Sequence, residues 1–172
     1  MFLDKSTLMK IPLIYYLFCY FKLNDFSFKY IGKNIINTGW CEATSYFKIK
    51  LPVKNIYASI KRDGNIINKN ILETPHYSFV SSNQGKQDYF DYKEKNFNLE
   101  KKDVEKKFND LITSVMNDGL RNNILIEKNI DLINKKEAKI LDGVHRSAVL
   151  LSLGKDNIEC FIVHKTKAIK NK

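Results

Sequence analysis

The stretch Asp142-Gly143-Val144-His145-Arg146-Ser147 holds residue types at a spacing that suits phosphate chemistry. A strand that ends on Asp-Gly and runs straight into a helix turns the first free backbone N–H groups outward, where the helix dipole favours an anion. Gly143 permits the tight turn and the close approach of a ligand, and Arg146 offers a planar fork for phosphate oxygens. His145 adds a titratable donor and Ser147 a hydroxyl in the same first turn. Asp142, at the carboxyl end of the strand, is placed to hold a metal ion or to accept a proton from a hydroxyl. Each of these residues also has a plainer role open to it, with Asp142 as a turn or N-cap residue and His145 and Arg146 as decoration on a helix start.

The flanking elements follow from hydrophobic periodicity. Asn98 can cap a helix whose apolar positions Val104, Phe108, Leu111, Ile112 and Val115 share one face, and Asn117-Asp118-Gly119 ends it. Asn123–Glu127 (NILIE) reads as a short buried strand, Asn134-Lys135-Lys136 as part of a turn, and Ala138–Leu141 (AKIL) as the next strand. Val144–Leu153 reads as a helix closed by Gly154, and Ile158–His164 (IECFIVH) as a final strand. The order from residue 98 is helix, strand, strand, helix, strand.

The half before residue 98 is aromatic-rich and reads as short strands and loops. Tyr46–Leu51 alternates as a strand, Val53–Ile60 suits a strand or a short helix, and Arg62-Asp63-Gly64-Asn65 marks a turn. Residues 81–96 (SSNQGKQDYFDYKEKN) are the most polar stretch and read as a long exposed loop, in which Tyr89 and Tyr92 are candidates to stack on a base. The chain divides into an N-terminal aromatic-rich extension (1–45), a domain (46–164) and a basic tail (165–172).

The longer pattern KILDGVHRSAVLLSLGKDNIECFIV, residues 139–163, resembles the ParB/sulfiredoxin family. That family's hallmark is a strand running into a G-x-H-R or G-E-R-R type turn at a helix N-terminus, followed by a Gly and a strand. The resemblance extends over residues 98–164 and implies an α+β fold, a single domain with a small mixed sheet and helices packed on it. Many members carry a Pro just before the first of these strands, where this chain has Asn123. Sulfiredoxins place a reactive Cys immediately before His-Arg, where this chain has Val144, so the resemblance does not carry sulfiredoxin chemistry across. Chromosome-partition members carry a helix-turn-helix region after this domain, and only eight residues follow His164, so sequence-specific DNA binding is not expected.

A third branch, the free-serine kinases, has a D-G-H-H-R-like turn, matched here by Asp142, Gly143, His145 and Arg146. The resemblance to that branch implies a nucleotide (ATP, ADP or CTP) with Mg held at Asp142, and transfer of phosphate to a small hydroxyl-bearing metabolite. Such kinases also supply an acid from a Pro-His-Glu-like stretch. Here the stretch is Glu73-Thr74-Pro75-His76-Tyr77, with Tyr77 where the acid would stand, so Glu73 is the candidate second catalytic carboxylate and His76 and Tyr77 are substrate-side candidates. A nucleotide-binding switch or interaction module without turnover fits the missing acid equally well.

Composition bounds these readings. The 172 residues, 44% hydrophobic and 28% charged, suit one globular domain and exclude collagen-like and wholly disordered chains. The net charge of +10 is spread along the chain and carried almost wholly by Lys, which describes a solvated surface better than a base-reading one. Cys19, Cys41 and Cys160 are widely spaced and without a C-x-x-C pair, which suits a reducing, cytoplasmic setting and neither a disulfide framework nor a zinc site. The apolar run Ile11–Phe21 is shorter than the roughly 20 residues a membrane span needs. It reads as a core segment or a peripheral membrane contact.

Overall fold

Alternation along residues 47–51 sets one row of side chains against the interior: Phe47, Ile49 and Leu51 are buried, and Lys50 between the last two is exposed. In the computed structural model, which describes residues 27–38, 41–127 and 137–168, this row belongs to the second strand of a seven-stranded sheet. The strands are β1 (Ser27–Asn37), β2 (Cys41–Pro52), β3 (Ile56–Arg62), β4 (Asn65–Asn70), β5 (Ile124–Glu127), β6 (Ala138–Asp142) and β7 (Asn157–Ala168). Their spatial order is β1-β2-β7-β5-β6-β3-β4, with β5/β7 and β3/β6 parallel and the other neighbours antiparallel. Helices α1 (Pro75–Ser81), α2 (Asn83–Phe97), α3 (Lys101–Asp118) and α4 (Val144–Ser152) complete the described residues. The fold is thus α+β with a mixed sheet, as the sequence pattern implies.

The mixed sheet buries its inner face in one cluster that includes Phe47, Leu51, Ile56, Ile124, Ile140 and Ile158, which Leu151 of α4 joins. A second cluster is made almost wholly by the helices: Phe79, Tyr89, Phe90, Val104, Phe108, Val115 and Val149. Full burial of each large apolar side chain contributes roughly 1.5–3 kcal/mol, so the two clusters together fix how the helices lie on the sheet. Leu125 and Val163, alternating with the inward residues of β5 and β7, are buried in a smaller cluster with Ala43.

Local signals set the ends of these elements. Asp63 and Gly64 both take positive φ (51° and 81°) in the two-residue link between β3 and β4, where Arg62 pairs with Asn65. That is the turn the right-handed twist of a hairpin favours. Thr74 caps α1, its Oγ accepting from the Tyr77 N–H at 3.3 Å, and Pro75 takes the first helical position, where its missing N–H costs nothing.

Four readings of the sequence differ from the structure. Residues 81–96, read as a loop, form most of α2, capped by the Ser82 hydroxyl, which accepts from the Gly85 N–H at 2.9 Å. Its buried strip is narrow, only Gly85, Tyr89 and Phe90, so the polar remainder hides the period; Gln84–Asp88 and Gln87–Asp91 hydrogen bonds of 3.1 and 2.7 Å support the exposed faces. Asn98 does not start α3; it ends α2 in the left-handed conformation (φ 51°), and Glu100 stands at the N-cap of α3. Residues 27–45, read as part of an extension, supply β1 and the start of β2, and the sheet also takes in residues 165–168 of the tail. Val53–Ile60 splits into a 3-10 turn (Val53–Asn55) followed by β3. The run Ile11–Phe21, Cys19 and the turn at Asn134–Lys136 lie outside the described residues. Among the described residues no helix is long and apolar enough to cross a membrane.

Candidate functional site

Asp142 is the last residue of β6 and Val144 the first of α4, so the whole change of direction falls on Gly143, at φ 103° and ψ 22°. A Cβ there would meet Arg146 Nη2 at 3.0 Å and Ile124 Cγ1 at 3.1 Å. Backbone geometry and space both reserve the position for glycine. No side chain caps α4, so its first N–H groups have no intrahelical acceptor until Ser147, whose N–H reaches the Gly143 carbonyl at 2.9 Å.

Asp142 does not cap the helix because Arg146 holds it. Arg146 Nη2 donates to Asp142 Oδ2 at 2.9 Å and to the Asn123 carbonyl at 3.1 Å, which ties the end of β6 and the start of α4 to the residue before β5. Its Nε is buried and without a partner. Ser147 is fully buried and its hydroxyl donates to the Gly143 carbonyl at 3.0 Å, so this predicted phosphate ligand braces the turn from behind and does not line the cleft.

The turn opens into a cleft of about 740 Å³ bounded by β3, α1, α2, α3 and α4. His145 points into it from the first turn of α4 and meets Tyr89 of α2, with Nε2 and Oη 2.7 Å apart. The His76 ring stands edge-on to His145 at 4.6 Å, and Phe108 lies 5.1 Å from His145 on another side. Burial, helped by the charges of Lys93 and Arg146 and opposed by Asp142, pushes the His145 imidazole down to about 4. Burial first, then His145 and Lys93, holds His76 well below its ordinary value, and burial raises the Tyr89 phenol. Both imidazoles and the phenol are therefore neutral near pH 7, and His145 serves the cleft as a neutral polar group, not as a cation for phosphate.

This has a measurable consequence. Unfolded histidine titrates near 6.5, whereas native His145 stays neutral to about 4. As pH falls below 6.5 the unfolded chain takes up protons that the native one refuses, so the stability present above 6.5 is lost progressively toward pH 4. The urea midpoint is expected to be flat from pH 7 to 8 and to fall on acidification through this window. A midpoint unchanged across the window in the native chain would count against buried neutral histidines.

Charge in the cleft is one-sided. Lys61, Lys93, Lys107 and Arg146 line it, against Asp142 as its single carboxylate. Lys93 lies half-buried with its amine 5.3, 5.9 and 4.9 Å from the ring centroids of Tyr89, Tyr92 and Phe97, and burial lowers its basicity. Tyr92 accepts the Lys61 backbone N–H at 3.3 Å, which fixes α2 against the end of β3. Apolar side chains such as Ile60, Phe97, Leu99 and Leu111 make up much of the rest of the wall.

Of the residues singled out from sequence, Asp142, Gly143, His145, Arg146 and His76 converge here, as do Tyr89 and Tyr92. Glu73 does not. It pairs with Lys69 at 3.7 Å and faces an adjoining hollow of about 310 Å³, which shares Ile60, Lys61 and Tyr92 with the cleft. Tyr77 lines a third hollow of about 380 Å³ beside Leu151 and Gly154. The two candidate carboxylates are therefore not brought to one site. Asp142 has Oδ2 on Arg146 amid several cations, and no group of three metal-binding side chains exists among the described residues.

Lys93, Lys61 and Lys107 escaped the sequence reading. The signal for Lys93 was present, since residues 89, 92 and 93 share one helical face, but it can be seen only once the polar stretch is known to be a helix. No family model matches the chain, and no curated protein or solved structure matches it either.

Proposed function

We propose that the cleft binds a nucleotide, with a phosphate on the N-terminus of α4, and that the protein transfers phosphate from it to a small hydroxyl-bearing compound. The observation that carries this reading is the uncapped start of α4 at Gly143, opening into a cleft lined by four cations and one carboxylate. Backbone N–H groups and the helix dipole favour an anion there, and the surrounding cations add long-range attraction. The apolar wall and Tyr92 offer a face for a base, and the volume of about 740 Å³ lies within the range of small-ligand clefts. The resemblance of residues 139–163 to the ParB/sulfiredoxin pattern supports the same ligand class, ATP, ADP or CTP. A nucleotide ligand also favours the cytoplasm as the place of action.

In this reading Arg146 orients Asp142, and Asp142 receives the proton of the acceptor hydroxyl as the phosphoryl group moves. Catalysis then rests on positioning and on charge stabilisation by the helix start. Any Mg ion comes with the nucleotide's phosphates, with Asp142 the carboxylate at the turn.

A second reading, nucleotide binding as a switch without turnover, is favoured by one observation: Glu73, the candidate second carboxylate, faces a different hollow. Calorimetry with ATP, ADP and CTP in the presence of Mg tests both. Binding is expected in the native chain and should weaken at least about tenfold in Arg146→Ala, as loss of a charged hydrogen-bonding group implies. Gly143→Ala is expected to weaken it similarly by displacing Arg146. Release of ADP or AMP only when an acceptor is added selects the transferase; binding with no release under any acceptor selects the switch. Absence of heat and of thermal stabilisation with all three nucleotides sinks both.

A further inference from the structure

Lys93 is half-buried with its amine over three aromatic rings, and it pairs with no carboxylate among the described residues. Ring faces compensate only part of the hydration an ammonium gives up there. A second polar group nearby is also unmet: His76 is 6% exposed, lines the same cleft, and its Nδ1 has no hydrogen-bond partner. Buried polar atoms left without partners are uncommon, and this one belongs to a residue of the cleft wall.

His145 is in the first turn of α4 and His76 stands against it at 4.6 Å. The His76 ring and the Lys93 amine each lie 5.3 Å from the Tyr89 ring and 5.9 Å from the Tyr92 ring, so both flank the same stretch of the cleft wall. We propose that Lys93, beside His76, forms a second anion-binding point, so that the ligand carries another anionic group, phosphate or carboxylate, beyond the phosphate at the turn. This rests on the phosphate-binding reading of the α4 turn and adds to it a demand for a second charge.

The ammonium supplies the charge, and the imidazole beside it is neutral and brings no competing one. Binding restores to Lys93 the anionic partner that the chain itself omits, so an anion there binds without having to displace a resident carboxylate. By the same logic a ligand with a single phosphate leaves the point unused.

Titration of the full-length protein with inorganic phosphate, pyrophosphate, 3-phosphoglycerate and ADP tests this. Pyrophosphate or 3-phosphoglycerate is expected to bind at least about tenfold tighter than inorganic phosphate, the size of one charged hydrogen bond. Preference for pyrophosphate identifies the second group as phosphate, and preference for 3-phosphoglycerate identifies it as carboxylate. In Lys93→Met the advantage should fall to within about twofold, and the affinity for inorganic phosphate should fall by much less than that for the tighter ligand. Acetylation of Lys93 in the native protein, read by mass spectrometry, should be slowed by the tighter ligand and not by inorganic phosphate, which decides the matter should the variant fail to fold. Equal affinities in the native protein, an advantage that survives Lys93→Met, or unprotected acetylation overturns the second point alone. Failure of every probe, ADP included, to bind overturns the phosphate reading with it.

Discussion

Replacing Phe108 by alanine is expected to lower stability by about 3–5 kcal/mol, the usual cost of emptying a buried phenyl site. Phe108 is 2% exposed and its ring stacks on Phe79 at 4.2 Å with 14° between the planes. It also meets Tyr89 edge-on at 5.3 Å and His145 at 5.1 Å, so one side chain joins the core among the helices to the wall of the cleft. Neighbouring rings on α1, α2 and α4 cannot all close on the void, because each is already held by another contact. Urea denaturation measures the loss, and Phe108→Leu should show a smaller one. A change below about 1 kcal/mol for the alanine variant contradicts this packing, since even a well-relaxed cavity costs more. In the fraction that remains folded, His145 loses one of its supports, so nucleotide affinity should fall although Phe108 carries no polar atom.

Gly85→Ala is expected to destabilise, against the general rule that exchanging glycine for alanine within a helix adds roughly 0.5–1 kcal/mol. Here the rule reverses because of α1. A Cβ at residue 85 would lie 2.0 Å from the Ser78 carbonyl oxygen and 2.5 Å from its carbon, and backbone cannot swing aside as a flexible side chain can. Helices α1 and α2 must part, and overpacking of that kind costs about 1–3 kcal/mol or more. Parting them also separates His76 on α1 from Tyr89 on α2, whose rings are 5.3 Å apart, so ligand binding should weaken together with stability. A variant as stable as the native chain, measured by thermal and urea unfolding, would falsify the close approach of α1 and α2.

What could be read from sequence and what could not divide along the range of the interactions. Strand β6, the Gly143 turn, α4 and the Gly154 that follows were legible because each is set by neighbours a few residues apart: alternation, a glycine, a helical apolar face. The turn at Asp63-Gly64 was legible for the same reason, whereas the strand β4 that follows it was not. Helix α2 was not. Its buried strip of Gly85, Tyr89 and Phe90 becomes apolar surface only against α1 and α3, and its polar faces gave the loop reading. The start of α3 was misplaced because Asn98 suits a left-handed C-cap as well as an N-cap, and only the packing of α2 decides between them.

The same division runs through the site. By itself the sequence determined the α+β fold class and the strand-turn-helix at Gly143, since Asp142, Gly143 and Arg146 lie within five consecutive residues and one glycine conformation arranges them. Tertiary structure alone decided what surrounds that turn. It carried Glu73 to another hollow, buried Ser147 behind the turn, and made His145 neutral by packing it against Tyr89 and Phe108. It also brought Lys93 and His76 into the cleft from α2 and α1. The physical reason is that desolvation and pairing depend on groups far apart in the chain: Tyr89 and His145 are 56 residues apart and meet at 2.7 Å only because the helices share a core.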